Sequence, residues 1–125
     1  MALYSQDKIV TVPGLLAGAN LTAAQYHIVK LASTAGEVVL AGNGAGFGVL
    51  LNDPADGEVA EVAWSGIVPV VAEASVTKGT LITANSTGRA QATTTANNAV
   101  LGVALTGSTS NGDLISLALS GVSNY

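Results

Sequence analysis

The chain carries one pattern twice. Gly48-Val-Leu-Leu-Asn-Asp-Pro-Ala-Asp-Gly-Glu-Val-Ala-Glu-Val-Ala-Trp-Ser-Gly66 returns as Gly102-Val-Ala-Leu-Thr-Gly-Ser-Thr-Ser-Asn-Gly-Asp-Leu-Ile-Ser-Leu-Ala-Leu-Ser-Gly121. One inserted residue, Asn111, brings the copies into register. Upstream the offset runs without a gap back to Tyr26 and Thr80, so that Ile28 matches Ile82. Both copies alternate large apolar with small or polar side chains, which is the period of a strand. Two copies of one β-unit predict an all-β fold, a small barrel or sandwich, with an extended N-terminal arm and at most one short helical turn. Residues 1–25 read as the arm and a first strand. Residues 26–125 read as a single β-domain, with the repeat over 26–72 and 80–122. The length, 125 residues, suits one domain.

Local signals divide the chain further. Lys8 to Val12 reads as a strand, ended by the turn pair Pro13-Gly14. Thr22 is followed three residues later by Gln25, the spacing of a capping box, which predicts one helical turn. Strands are predicted over 26–32, 37–41, 47–51 and 58–65. Ser65-Gly66 then bends the chain into 67–72. Alternation puts Ala60, Val62 and Trp64 on the core face, with their counterparts Ile115, Leu117 and Leu119. Val49, Leu51, Val103 and Leu105 join them. Glu61, Ala63 and Ser65 fall on the other face, matched by Ser116, Ala118 and Ser120.

Charge is scarce. Only 10% of residues are charged, against about 25% in ordinary soluble domains. A small domain with so few charges predicts that another protein covers part of its surface. The basic residues are Lys8, Lys30, Lys78 and Arg89, and the net charge is −4. They form no cluster, which argues against nucleic-acid binding. No cysteine is present, so no disulfide, thiol nucleophile or Cys-ligated metal is expected. Neither a signal peptide nor a membrane helix is legible; the longest apolar run, 67–72, falls far short of about 20 residues. Asn20-Leu-Thr22 and Asn85-Ser-Thr87 match the glycosylation sequon and read as chance in a chain rich in Asn and Thr.

Reactive chemistry has few candidates. Gly42 to Gly48 is glycine-rich, but Phe47 breaks the G-x-G-x-x-G spacing and no G-K-[ST] follows, so it reads as a flexible hairpin loop. Asn52, Asp53, Asp56 and Glu58 concentrate oxygen ligands without EF-hand spacing. Their Pro and Asp-Gly context reads as turn chemistry. His27 is the single histidine and has no G-x-S-x-G partner. It reads as a strand residue rather than a general base. Trp64 is the single tryptophan and aligns with Leu119, which predicts core packing. No catalytic, cofactor or metal residues, and no small-molecule substrate, are assigned.

Three segments carry a family resemblance: Leu21-Thr-Ala-Ala-Gln-Tyr-His-Ile-Val-Lys-Leu31, Gly48-Val-Leu-Leu-Asn-Asp-Pro-Ala-Asp-Gly-Glu58, and Val100-Leu-Gly-Val-Ala-Leu105 with Gly112-Asp-Leu-Ile-Ser116. In order and spacing they resemble the capsid decoration, or cement, proteins of tailed bacteriophages. The resemblance implies a small β-domain on the outer surface of the expanded head. It implies a trimer, made in the host bacterial cytoplasm, that binds the major capsid protein and reinforces the shell of the virion. It implies no enzymatic activity. Contact residues are then expected in the arm (Ala2, Leu3, Tyr4, Asp7), in the loop (Asn52, Asp53, Asp56) and at Tyr125. The competing reading is a carbohydrate- or surface-binding β-module of a phage fibre or a bacterial surface protein. It would need exposed aromatics, and aromatic content is only 4%. An enzyme ranks third.

Overall fold

The computed structural model describes the backbone of residues 7–124. Ten strands form one mixed sheet: β1 (Asp7–Val12), β2 (Leu16–Ala17), β3 (Ile28–Leu31), β4 (Glu37–Leu40), β5 (Gly48–Leu50), β6 (Val62–Val71), β7 (Leu81–Ala84), β8 (Ala90–Ala92), β9 (Ala99–Ala104) and β10 (Leu114–Asn124). The order is β2-β4-β3-β5-β6-β10-β9-β7-β8, with β1 also on β6, and the path is open at β2 and β8. The fold is all-β, and the sheet is not closed. The two units repeat in topology as they do in sequence: β4-β3-β5-β6 in the first, β8-β7-β9-β10 in the second.

Three strands show how the repeat is built. In β6, Ser65 faces Val10 of β1. In β10, Ser120 faces that same Ser65. Val10 pairs with Ser65 as Ser65 pairs with its repeat counterpart Ser120, so β1 stands to β6 as β6 stands to β10. Backbone correspondence therefore continues upstream of Tyr26, where side-chain similarity fades. Ala17 donates to the Glu58 carbonyl at 2.8 Å and accepts from Gly57 at 2.9 Å. Ala72 likewise donates to Asp113 and accepts from Gly112, both at 2.8 Å. Each unit borrows a strand from the segment before it.

This borrowing makes two cores. Val29, Val38, Leu50, Ala60 and Val62 of the first unit pack on Leu15, Ala17 and Leu21. Ile82, Ala104, Ile115 and Leu117 of the second pack on Val68, Val70, Ala72 and Val76. Full burial of each Val, Leu or Ile contributes about 1.5–3 kcal/mol. The expected core face is correct for Ala60, Val62, Ile115, Leu117 and Leu119, all buried. Trp64 departs from it: the side chain is 43% exposed and lies across Gly121. Ala63, placed on the outer face by alternation, is fully buried between the units. Leu51, Val103 and Leu105 are only partly buried.

Several local expectations change. The 21–27 segment makes two successive turns, Ala24 N–H to Leu21 and His27 N–H to Ala24, both at 3.0 Å, in place of a helical turn. Asn20 Oδ1 takes the Thr22 N–H, and Gln25 Nε2 donates to the Leu51 carbonyl, so no capping box forms. Residues 58–61 form no strand beyond a bridge at Val59. The chain passes through Gly66 inside one ten-residue strand. Its φ of +111° and the close approach of the Lys8 carbonyl need a residue without Cβ. The sequence pairs Ile28 with Ile82, but the ladders differ by one residue. Val49 faces Ile28, whereas Val103 faces Leu81.

Candidate functional site

No assembled reaction centre appears among the described residues. No group of three or more His, Asp or Glu is positioned to hold a metal ion there. His27 Nδ1–H donates to the Gln25 carbonyl at 3.1 Å. It borders a shallow depression of about 380 Å³ shared with Leu21, Ala24, Val39 and Leu40, which carries no carboxylate.

The acidic loop is turn architecture. Asn52 Nδ2 donates to Val59 at 2.9 Å, and Asn52 Oδ1 accepts the Glu61 N–H at 3.0 Å. Glu58 Oε1 accepts the Ala55 N–H at 2.7 Å. The second unit repeats both devices. Thr106 Oγ1 accepts the Ser116 N–H at 3.0 Å. Asp113 Oδ2 accepts the N–H groups of Ser110 and Thr109, each at 3.0 Å. Those two bonds, Ser110 first, hold the Asp113 carboxyl below the usual carboxylate range. Asn52 is thus half-buried and committed to the turn, while Asp53 and Asp56 are exposed on a loop that this frame holds still.

The glycine-rich loop is a clasp between the units rather than a flexible hairpin. Gly44 N–H donates to the Ala84 carbonyl and its own carbonyl accepts from Ala99, both at 2.9 Å. Asn43 Oδ1 accepts from Gln91 Nε2 at 2.6 Å. Gly44 has a φ of +76°, and a Cβ there would run into Asn98. Gly46 leaves the gap in which Ile28 and Leu101 meet.

Of the expected contact residues, Asp7 opens β1 opposite Ile67. Ala2, Leu3, Tyr4 and Tyr125 lie outside the described residues. Sequence reasoning missed a strip on the second unit. Leu81, Val103, Ala118 and Ile67 face one another in a row across β7, β9, β10 and β6. None of the four is buried, and Leu81 is 37% exposed. Depressions of about 280 Å³ at Leu81 and Thr93 and about 240 Å³ at Ile67 and Ala118 border its two ends. The repeat marks Val103 and Ala118 as counterparts of Val49 and Ala63, but it aligns Ile28 with Ile82 and so does not point to Leu81.

What this geometry offers, among the described residues, is surface for contact. Comparison with known proteins narrows the class. The chain matches the phage cement protein family over residues 17–119 and belongs to it. Among solved structures it is similar to the N base of head fiber gp8.5 of bacteriophage phi29, with a TM-score of 0.69 at 20% identity over 90% of this chain and 94% of that one. No curated protein matches it by sequence. The protein is a structural component of a phage head.

Proposed function

We propose that the protein decorates the outer surface of a bacteriophage capsid as a trimer. There it ties neighbouring major capsid proteins together and stabilises the expanded head. The family match over residues 17–119 carries this reading. The mechanism is binding, not catalysis. A rigid subunit that touches two neighbours at once raises the free energy of separating them, and three linked weak contacts act at high effective concentration. The arm, Asp53 and Asp56 are the contact regions. β1 fixes the root of the arm against β6, and the bonds of Asn52 and Glu58 fix the loop that carries both carboxylates, so little backbone order is lost on binding.

The test is co-sedimentation of the purified chain with expanded heads stripped of decoration, beside unexpanded proheads. Saturable binding to expanded heads at a fixed ratio to capsid protein is the expected result. Absence of binding to both particles would refute decoration. Deleting residues 1–6 should weaken binding while leaving the circular dichroism spectrum unchanged. The exposed Trp64 gives the carbohydrate-binding reading its one supporting observation. Glycan binding abolished by Trp64→Ala, with capsid binding absent, would establish that reading instead.

A further inference from the structure

Arg89 is the single arginine of the chain. Among the described residues its guanidinium has neither a hydrogen-bond acceptor nor an ion pair. Its Nε is enclosed, so the head group is packed at its base, while the two terminal nitrogens stay accessible. It borders an open depression of about 420 Å³ with Glu73, Asn85, Thr87 and Asn111. Glu73 would be the internal partner, but Asn85 holds it: Asn85 Nδ2 donates to Glu73 Oε1 at 3.1 Å. Asn85 Oδ1 accepts the N–H groups of Thr87 at 2.9 Å and Arg89 at 3.0 Å. One amide thus fixes the carboxylate and the backbone of Arg89 without joining the two charges.

The fold does not require a cation there. The Asn85 N–H donates to the Arg89 carbonyl at 2.8 Å as the Ala32 N–H donates to that of Glu37 at 2.9 Å, so Glu37 is the first-unit equivalent of Arg89. Likewise the Glu73 N–H donates to Ala90 at 3.0 Å as the Gly18 N–H donates to Val38 at 2.8 Å. Gly57 donates to Ala17 as Gly112 donates to Ala72, which makes Asp56 the equivalent of Asn111. One place in the duplicated unit therefore carries the acids Glu37 and Asp56 in the first copy, and Arg89 with Asn111 in the second. A position that accepts either sign does not hold the fold together by its charge.

We propose that the Arg89 depression is a docking site for a carboxylate, an Asp or Glu side chain of the protein to which this chain binds. The site rests on the decoration reading and adds a contact to it. Both terminal nitrogens can bond one carboxylate, the paired geometry in which a guanidinium is strongest and most selective. Glu73 limits the charge of the guest: a single negative charge is tolerated, whereas a doubly charged phosphate meets the like charge twice over. A free anion gains little from one arginine in an open depression, but a side chain delivered by a docked protein has already lost its translational freedom. The same acidic residue is repelled by Glu37 and Asp56 at the first unit, so the site fixes which way round the subunit sits.

The experiment is co-sedimentation of the full chain with stripped, expanded heads, read as apparent affinity. Arg89→Gln should weaken binding by at least roughly tenfold. Arg89→Lys keeps the charge and loses the fork, and should recover only part of that loss. Arg89→Glu brings in the residue type of the first unit and should weaken binding further. Glu73→Gln should strengthen it. Lys78→Gln removes the same charge from an exposed turn and should change affinity by less than about twofold. Circular dichroism and thermal unfolding of each variant should match the wild type. The deciding sample is heads whose surface carboxylates have been amidated with carbodiimide and glycinamide. Amidation should weaken the wild type and affect Arg89→Gln, which has already lost the contact, much less. Equal affinity of Arg89→Gln and the wild type would overturn the proposal and leave decoration standing. So would an equal loss in Lys78→Gln, or amidation that weakens both proteins alike. A wild type that binds no heads would remove the decoration reading, and the partner proposed here with it.

Discussion

Thr83 is fully buried on β7, and its hydroxyl has no hydrogen-bond partner. Leaving a buried hydroxyl unpaired costs about 1–3 kcal/mol. Thr83→Val keeps the shape and removes the polar atom. It should stabilise the protein by about 1 kcal/mol, read as a higher urea midpoint with an unchanged slope. Asp113 predicts a pH effect. Its folded pKa is depressed by the Ser110 and Thr109 N–H groups. The stability it contributes is therefore complete above its unfolded value, near the ordinary aspartate pKa of about 3.9. It is lost as pH falls through the lower folded value. The Ser110 and Thr109 amide resonances should titrate with a midpoint below the ordinary range, and Asp113→Asn should abolish that titration. Asn52 and Thr106 show how far single residues are readable. They differ in chemistry, yet each places one oxygen where the facing segment offers an N–H. Sequence marked the positions as equivalent but could not show that the oxygens do the same work.

At the scale of elements, the loop between β4 and β5 joins the units. Gly44→Ala forces a Cβ into a left-handed conformation and against Asn98. It should cost at least about 2 kcal/mol. Gly42→Ala, with nothing within 4 Å of the added carbon, should change stability by less than about 0.5 kcal/mol. Thermal unfolding of the two variants side by side checks the claim, and equal losses would show that the loop clasps nothing. Glycine content alone suggested flexibility, because the partners of the loop, from Ala84 to Ala99, lie far along the chain. The one-residue offset between the two β3-type ladders was also illegible. A gapless alignment keeps Ile28 with Ile82, but a slip by one exchanges the faces of a strand. That slip is what brings Leu81, and not Ile82, to the surface.

For the whole molecule, two cores share one strand. β6 gives Val62 to the first core and Val68 and Val70 to the second. A defect in either core should therefore be felt across the chain. Leu117→Asp would bury an unpaired carboxylate at a fully enclosed site, a penalty of about 4 kcal/mol or more. It should unfold both units together, with one transition seen by circular dichroism and by Trp64 fluorescence. A first unit that stayed folded would show that the units are independent.

By itself the sequence determined the all-β class, the duplicated unit, most of each buried face and the family. These rest on alternation and on order along the chain, both of which are local. It also placed Ala60, Val62, Ile115 and Leu117 inside, because a strand exposes its faces in strict turn. Only the tertiary structure decided which buried face belongs to which core, that β1 completes the first unit, and that Trp64 lies outside while Ala63 lies within. The same holds for the clasp at Gly44 and for the open row on the second unit. Those features depend on which strand lies beside which, and on where the stack of units stops. Both are set by long-range pairing, on which side-chain alternation carries no information.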